Sequence, residues 1–169
     1  DSQTPQGIVA IVQKEEEQLP DFTSGKYLFL EDVQDPGNVG TMIRTADAAG
    51  FSGVIVSNKS ADIYSLKTLR SMQGSHFHVP IYRMPVETFV EEAKKGNLPI
   101  LATTLSPKSK DYRELAQPED FALVMGNEGQ GISPFMADHA DQLVHITMKG
   151  QAESLNVAIA AGILMFYLS

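Results

Sequence analysis

The chain contains no cysteine, which excludes disulfides and thiolate metal sites and gives no sign of secretion. Cations are scarce: 13 lysines and arginines stand against 21 acids, a net charge of −8. A nucleic-acid-binding surface is normally basic, because neutralised phosphates supply most of the non-specific affinity. The composition therefore speaks against broad RNA or DNA binding by this chain alone. Long apolar runs are missing too. The longest, Val157 to Leu168, is about half the ~20 residues a membrane span needs, and reads as a buried helix. The start, DSQTPQGIVAIVQ, has no charged segment followed by an apolar one, so it is not a signal peptide. It has no initiator methionine either, which leads us to expect a fragment or processed form. A cytoplasmic protein is the expectation from these absences.

What is present describes an ordinary globular domain, with 43% hydrophobic and 20% charged residues over 169 positions, enough to bury one core. Residues 1–25 read as a leader or linker, with one strand candidate at Gly7–Val12 and an acidic, solvated KEEEQLPDFTSG stretch. From Lys26 the pattern alternates. Apolar runs at Tyr27–Leu30, Val54–Ser57, Val79–Tyr82, Leu98–Thr103, Phe121–Met125 and Leu143–Met148 predict strands. Helical spacing predicts helices at Val39–Ala49, around Tyr64–Met72, at Val86–Lys95, from Ser133–Pro134 to His139, and at Ser154–Leu168, the last buried because it is apolar nearly all round. The polar run SPKSKDYRELAQPED reads as a loop with one helical turn. Strands alternating with helices predict an α/β fold, a mainly parallel sheet with helices on both faces.

Three stretches place glycine and polar residues just after apolar strands, the end at which open α/β sheets bind ligands. In EDVQDPGNVGTMIRTADAAGF, Asn38 suits a helix N-cap and Arg44 lies near the edge of an apolar helix face. By itself Arg44 reads first as a surface arginine whose stem covers core. In LVMGNEGQGIS the order is G-x-x-G-x-G, and Glu128 could simply cap the following helix. In HITMKGQAESLNVAIAAGILMFYL a strand runs through a glycine-containing loop into the last helix, where Ser154 and Asn156 could be only caps.

Taken together and in this order, the three stretches resemble the SpoU/TrmH family of SPOUT methyltransferases. The first motif matches at Asn38, Gly40 and Arg44 through Gly50, the second at Gly126–Gly131, and the third at Ser154–Ala158. The resemblance spans residues 26–169. One departure is Ala158–Ile159 where many members carry Ser-Val, a conservative change inside a helix.

The resemblance implies a SPOUT fold whose C-terminal segment, from about Leu123 to Leu168, forms a deep trefoil knot. It implies a domain at 26–169 preceded by an N-terminal RNA-recruiting domain, and a homodimer packed through the first-motif and final helices. It implies S-adenosyl-L-methionine held near Thr103, Gly126, Ile146, Met148 and Leu155, largely by backbone groups, with no metal. The implied reaction is methyl transfer from the sulfonium to a ribose 2′-hydroxyl of RNA, ribosomal RNA first and transfer RNA second. Arg44 would be the central catalytic residue, with Asn38, Glu128, Ser154 and Asn156 positioning it and the ribose. Holding an arginine neutral at pH 7 costs about 8 kcal/mol, so Arg44 is better read as a cation that binds phosphate and stabilises a developing alkoxide. The acidic balance then requires that RNA contacts be few and local, or come from another domain or subunit.

Other chemistries fit less well. His76 and His78 have no third ligand at metal spacing, there is no G-x-S-x-G for a serine hydrolase, and the methionines sit in apolar contexts as core. A Rossmann-type oxidoreductase would need G-x-G-x-x-G and an acid about 20 residues on. A non-catalytic RNA-binding or assembly module would not need Arg44, Glu128 and Asn156.

Overall fold

The computed structural model describes Gly7 and residues 19–169. The strand expected at Gly7–Val12, Gly7 apart, and residues 14–18 of the acidic stretch lie outside the described residues. Seven strands form one sheet in the order β3-β2-β1-β6-β4-β7-β5. They are β1 (Lys26–Leu30), β2 (Gly53–Val56), β3 (Ile81–Arg83), β4 (Ile100–Thr103), β5 (Lys110–Asp111), β6 (Phe121–Met125) and β7 (Gln142–His145). All six pairings are parallel. Between them run α1 (Pro36–Ala48), α2 (Leu66–Met72), α3 (Val86–Lys95) and α4 (Pro134–His139), and α5 (Val157–Leu168) closes the chain.

Every residue of β2 and β6 is buried, as expected for parallel strands covered on both faces. On one face, α1, α2 and α5 bury Val39, Met42, Ile43, Met72, Ala161 and Leu164 against Leu28, Leu30 and Leu123. On the other, α3 and α4 cover Phe29, Ile55 and Val124. There Phe29 stacks on Phe89 with ring centroids 4.1 Å apart; burying one such side chain contributes about 1.5–3 kcal/mol. The end of the expected leader joins this layer: Phe22 is 4% exposed and packs edge-on against Tyr27 and Phe89.

Four expectations are corrected. Helix α1 begins at Pro36, and its N-cap is Asp35, which accepts from the Asn38 amide at 3.0 Å; Asn38 is released for another role. Strand β7 stops at His145 because its neighbours give out there, Thr103 pairing with Val144 and Asp111 with His145. Helix α5 begins at Val157, since Asn156 caps it by accepting from the amides of Ala158 (2.9 Å) and Ile159 (3.3 Å); Ser154 and Leu155 stay outside it. Although α5 is apolar all round, it is not wholly buried: Ile159 is 56% and Phe166 59% exposed. The polar run after β4 holds the expected helical turn at Tyr112–Glu114 and also the two-residue β5, which no apolar pattern announces.

Chain direction reverses around β1. The chain steps outward through β2 and β3, then returns beyond β6 to β4. That is the switch point at which open parallel sheets leave a crevice between carboxyl ends of strands, and four loops meet there.

Candidate cofactor and active site

The loop after β6 is closed on itself. The Asn127 amide donates to the Gly131 carbonyl at 3.0 Å and the Gly131 amide to the Asn127 carbonyl at 2.9 Å. Asn127 Oδ1 accepts from the amides of Gly129 (2.9 Å) and Gln130 (3.0 Å). Its Nδ2 donates to the Asp32 carbonyl at 2.8 Å, tying the loop to the end of β1. Glycine is needed at two positions for different reasons. A Cβ at Gly126 would run into the backbone of Gly131 and Ile132, and Gly131 has φ of 71°, left-handed backbone that glycine adopts without strain.

This closure puts Glu128 at the loop tip, over the start of α1. Its carboxylate accepts from the amides of Gln34 and Asp35, both at 3.0 Å, and from Asn38 Nδ2 at 3.1 Å. Burial alone would raise its pKa, but the Gln34, Asn38 and Asp35 donors outweigh it and hold the carboxyl below the usual range. Glu128 therefore does not cap α4; Ser133 does, accepting from the Met136 amide at 3.1 Å. Asn38 Oδ1 in turn accepts from Asn156 Nδ2 at 3.1 Å. A polar chain Glu128–Asn38–Asn156 thus joins all three glycine-and-polar stretches.

Beneath it lies a cavity of about 660 Å³, within the range of small-molecule sites. Thr103, Gly126, Ile146, Met148 and Leu155 all line it, as do Glu128, Ser154 and Asn156. Asn38 touches the site through Glu128 and Asn156. Arg44 is exposed on α1 and lies outside the cavity lining of its own chain. The titratable side chains lining the cavity are Glu128, Glu153 and His145, with no lysine or arginine. Among the described residues no cluster of three His, Asp or Glu could hold a metal ion.

Two supports behind the wall, one of them holding the lining residue His145, escaped sequence reasoning. Ser109 Oγ donates its only proton to the Ser106 carbonyl at 2.6 Å, so at 2.9 Å it accepts from His145 Nδ1, which pins the loop after β4 to β7. Asp111 accepts from Arg113 Nε (2.7 Å) and Nη2 (3.0 Å) and from the Thr147 amide at 3.3 Å. Arg113 first, then Thr147, hold its carboxyl well below the usual range. The short Asp111-x-Arg113 spacing is visible in sequence; the partner 36 residues on is not.

A wholly parallel sheet with a preformed cleft at the carboxyl ends of its central strands is the architecture of an α/β small-molecule-binding domain. More particularly, the chain belongs to the SpoU rRNA methylase family, whose model matches residues 25–166. It is 45% identical over 168 residues to the 23S rRNA (guanosine(2553)-2′-O)-methyltransferase RlmP of Bacillus subtilis, covering 99% of this chain and 66% of that protein. An AdoMet-bound rRNA methyltransferase from Sinorhizobium meliloti superposes with a TM-score of 0.82 at 40% identity, over 89% of this chain and 60% of that one. The SpoU methyltransferase AviRb from Streptomyces viridochromogenes, in complex with AdoMet, gives 0.74 at 35%, over 83% and 55%. The chain thus spans about three fifths of the length of these relatives.

Proposed function

We propose that residues 26–169 form the catalytic domain of an S-adenosyl-L-methionine-dependent RNA 2′-O-ribose methyltransferase acting on ribosomal RNA in the cytoplasm. The observation that carries this reading is the Glu128–Asn38–Asn156 chain at the rim of a cavity lined in part by Gly126, Gly129 and Gly131. The cavity suits the cofactor: Ile146, Leu155, Val157 and Leu164 offer apolar contacts for an adenine, and the lining adds no cation to oppose a sulfonium. Bound there, the cofactor supplies an already activated methyl group, so no metal is needed to polarise it.

The protein's part is to place a ribose hydroxyl and help it lose a proton. Glu128 is engaged by three donors, which makes it a positioning group that orients Asn38 and Asn156 toward the cavity mouth. Arg44 acts as a cation beside the adjacent phosphate, and Ser154, in the lining, contacts the ribose. Because Arg44 stands outside its own chain's cavity, we place it at the site through a homodimer packed on α1 and α5. The bare Ile159 and Phe166 and the packing of α5 beside α1 within the chain support that interface.

A trefoil knot between about Leu123 and Leu168 belongs to the same proposal. Helix α5 lies between α1 and the segment after β5: Gln117 Nε2 donates to the Tyr167 carbonyl at 2.7 Å and Tyr167 Oη to the Arg113 carbonyl at 3.1 Å. That arrangement fits a C-terminus threaded under the loop joining β4 to β6. The RlmP similarity favours ribosomal over transfer RNA.

The test is transfer of a tritiated methyl group to unmodified 23S rRNA transcribed in vitro, followed by alkaline hydrolysis. Label recovered in alkali-resistant dinucleotides supports the assignment. Cofactor binding without transfer to any RNA would leave a non-catalytic module on the same fold.

A further inference from the structure

Charge is spread unevenly over this acidic chain. Between Ala48 and Val86 stand Lys59, Lys67, Arg70 and Arg83 with one carboxylate, Asp62; the excess of acid lies elsewhere. Arg83 is engaged internally, donating to the carbonyls of Ser57 at 2.8 Å and Ala61 at 3.2 Å. Lys59, Lys67 and Arg70 are exposed, and Arg70 forms no ion pair with any described residue.

Their position matters more than their number. Gln34 Nε2 donates to the Lys59 carbonyl at 2.7 Å, and Lys67 Nζ pairs with Asp35 Oδ2 at 2.7 Å. Gln34 and Asp35 are the residues whose amides hold Glu128. The two lysines therefore bracket the dipeptide under Glu128, and Arg70 follows Lys67 on the same face of α2, three residues on. The pairs they make, Lys59–Asp32 at 3.9 Å and Lys67–Asp35, are solvent-exposed and weak enough to exchange for a phosphate. The rest of the chain carries the whole acidic excess, which disfavours a polyanion there on balance, so approach is favoured along this strip.

We propose that Lys59, Lys67 and Arg70 form a docking track for the RNA phosphates that flank the methylated nucleotide. The proposal rests on the RNA-methyltransferase reading above and adds where the chain grips its substrate. Contacts of this kind position the backbone and carry no base readout. Affinity through the track is therefore salt-dependent and indifferent to sequence.

The test measures binding of fluorescein-labelled 23S rRNA fragments, matched and scrambled, as a function of salt. In the Lys59→Gln/Arg70→Gln protein the slope of log K against log salt becomes shallower by about 1.4 to 1.8. Affinity at physiological salt falls about tenfold for both RNAs, and S-adenosylmethionine binding is unchanged. Asp62→Asn, which keeps the acceptor for the Tyr64 amide at 2.9 Å, tightens RNA two- to threefold. Lys94→Gln/Lys95→Gln, on α3 across the sheet, changes nothing. An unaltered slope in the first variant, or an equal loss in the α3 variant, overturns the track. So does unchanged binding of naked RNA with lost methylation of ribosomal particles, which would assign the strip to a protein. A wild-type protein that binds RNA with this salt dependence yet transfers no methyl group sinks the activity and leaves the track standing.

Discussion

Asn38 Nδ2 lies 3.1 Å from Glu128 Oε1, a contact between residues 90 positions apart, while the other end of the same amide accepts from Asn156. One side chain thereby couples the glycine loop after β6 to the cap of α5. For Glu128→Gln, a neutral amide that presents a single acceptor oxygen to three donors, we expect a stability loss of about 1–3 kcal/mol by urea unfolding. The effect is pH-dependent. The folded pKa is depressed, so the carboxylate's contribution is present above the unfolded value of about 4.3 and is lost as pH falls through the folded one. The variant should show a flatter acid limb below pH 4.3.

Arg44→Ala should reduce methyl transfer by about 10²–10³, the usual effect of removing one stabiliser of developing charge. Calorimetry should show cofactor affinity unchanged, because Arg44 is outside its own chain's cavity lining and is proposed to meet the RNA phosphate, not the cofactor. Undiminished transfer with intact cofactor binding would remove Arg44 from the proposed mechanism.

Glu31 gives the opposite pH response. It is 2% exposed and accepts from the Ser133 amide at 3.1 Å; burial, outweighing that bond, raises its pKa. Its contribution is thus full below the unfolded pKa and declines as pH rises through the folded one. Glu31→Gln keeps an acceptor for Ser133 and should raise the thermal midpoint at pH 7, with the gain vanishing near pH 4. Calorimetric scans at the two pH values decide it.

Gly126→Ala should open the loop, since the new Cβ would meet Gly131 and Ile132 backbone. Overpacking of this kind costs about 1–3 kcal/mol. Cofactor affinity should drop about tenfold or more by calorimetry, whereas Gly150→Ala, whose Cβ meets nothing within 4 Å, should bind normally.

Phe166→Asp tests the proposed homodimer. Sedimentation should show a dimer for the wild type and a monomer for the variant. Methyl transfer should fall with the loss of dimer while the circular dichroism stays that of the folded chain. A monomeric wild type with full activity would dismiss both the interface and the placement of Arg44 through it.

Legibility in sequence tracked how local each feature's cause was. Helix α3 matches its expected bounds, Val86–Lys95, because its apolar spacing and terminal Gly96 are neighbours in sequence. The start of α4 at Pro134 was equally readable from Ser133–Pro134. Asparagine suits a cap in isolation, but Asp35 takes that place in the folded chain, where Glu128 and Asn156 engage the two ends of the Asn38 side-chain amide. Nothing local marked His145 or the tie between Asp111 and Thr147, because those partners come from other loops.

Periodicity and spaced motifs, then, were sufficient for a parallel α/β domain, for its helices and most of its strands, and for the three glycine-and-polar stretches that meet at the cavity. These follow from backbone preferences and one-dimensional patterns of burial. Tertiary structure alone decided that Glu128 rests on residues 34, 35 and 38, that Arg44 stays out of the lining of its own chain's cavity, and that α5 leaves Ile159 and Phe166 bare. Each depends on how segments far apart in the chain meet at one end of the sheet, and no pattern along the chain records the direction in which a side chain finally points.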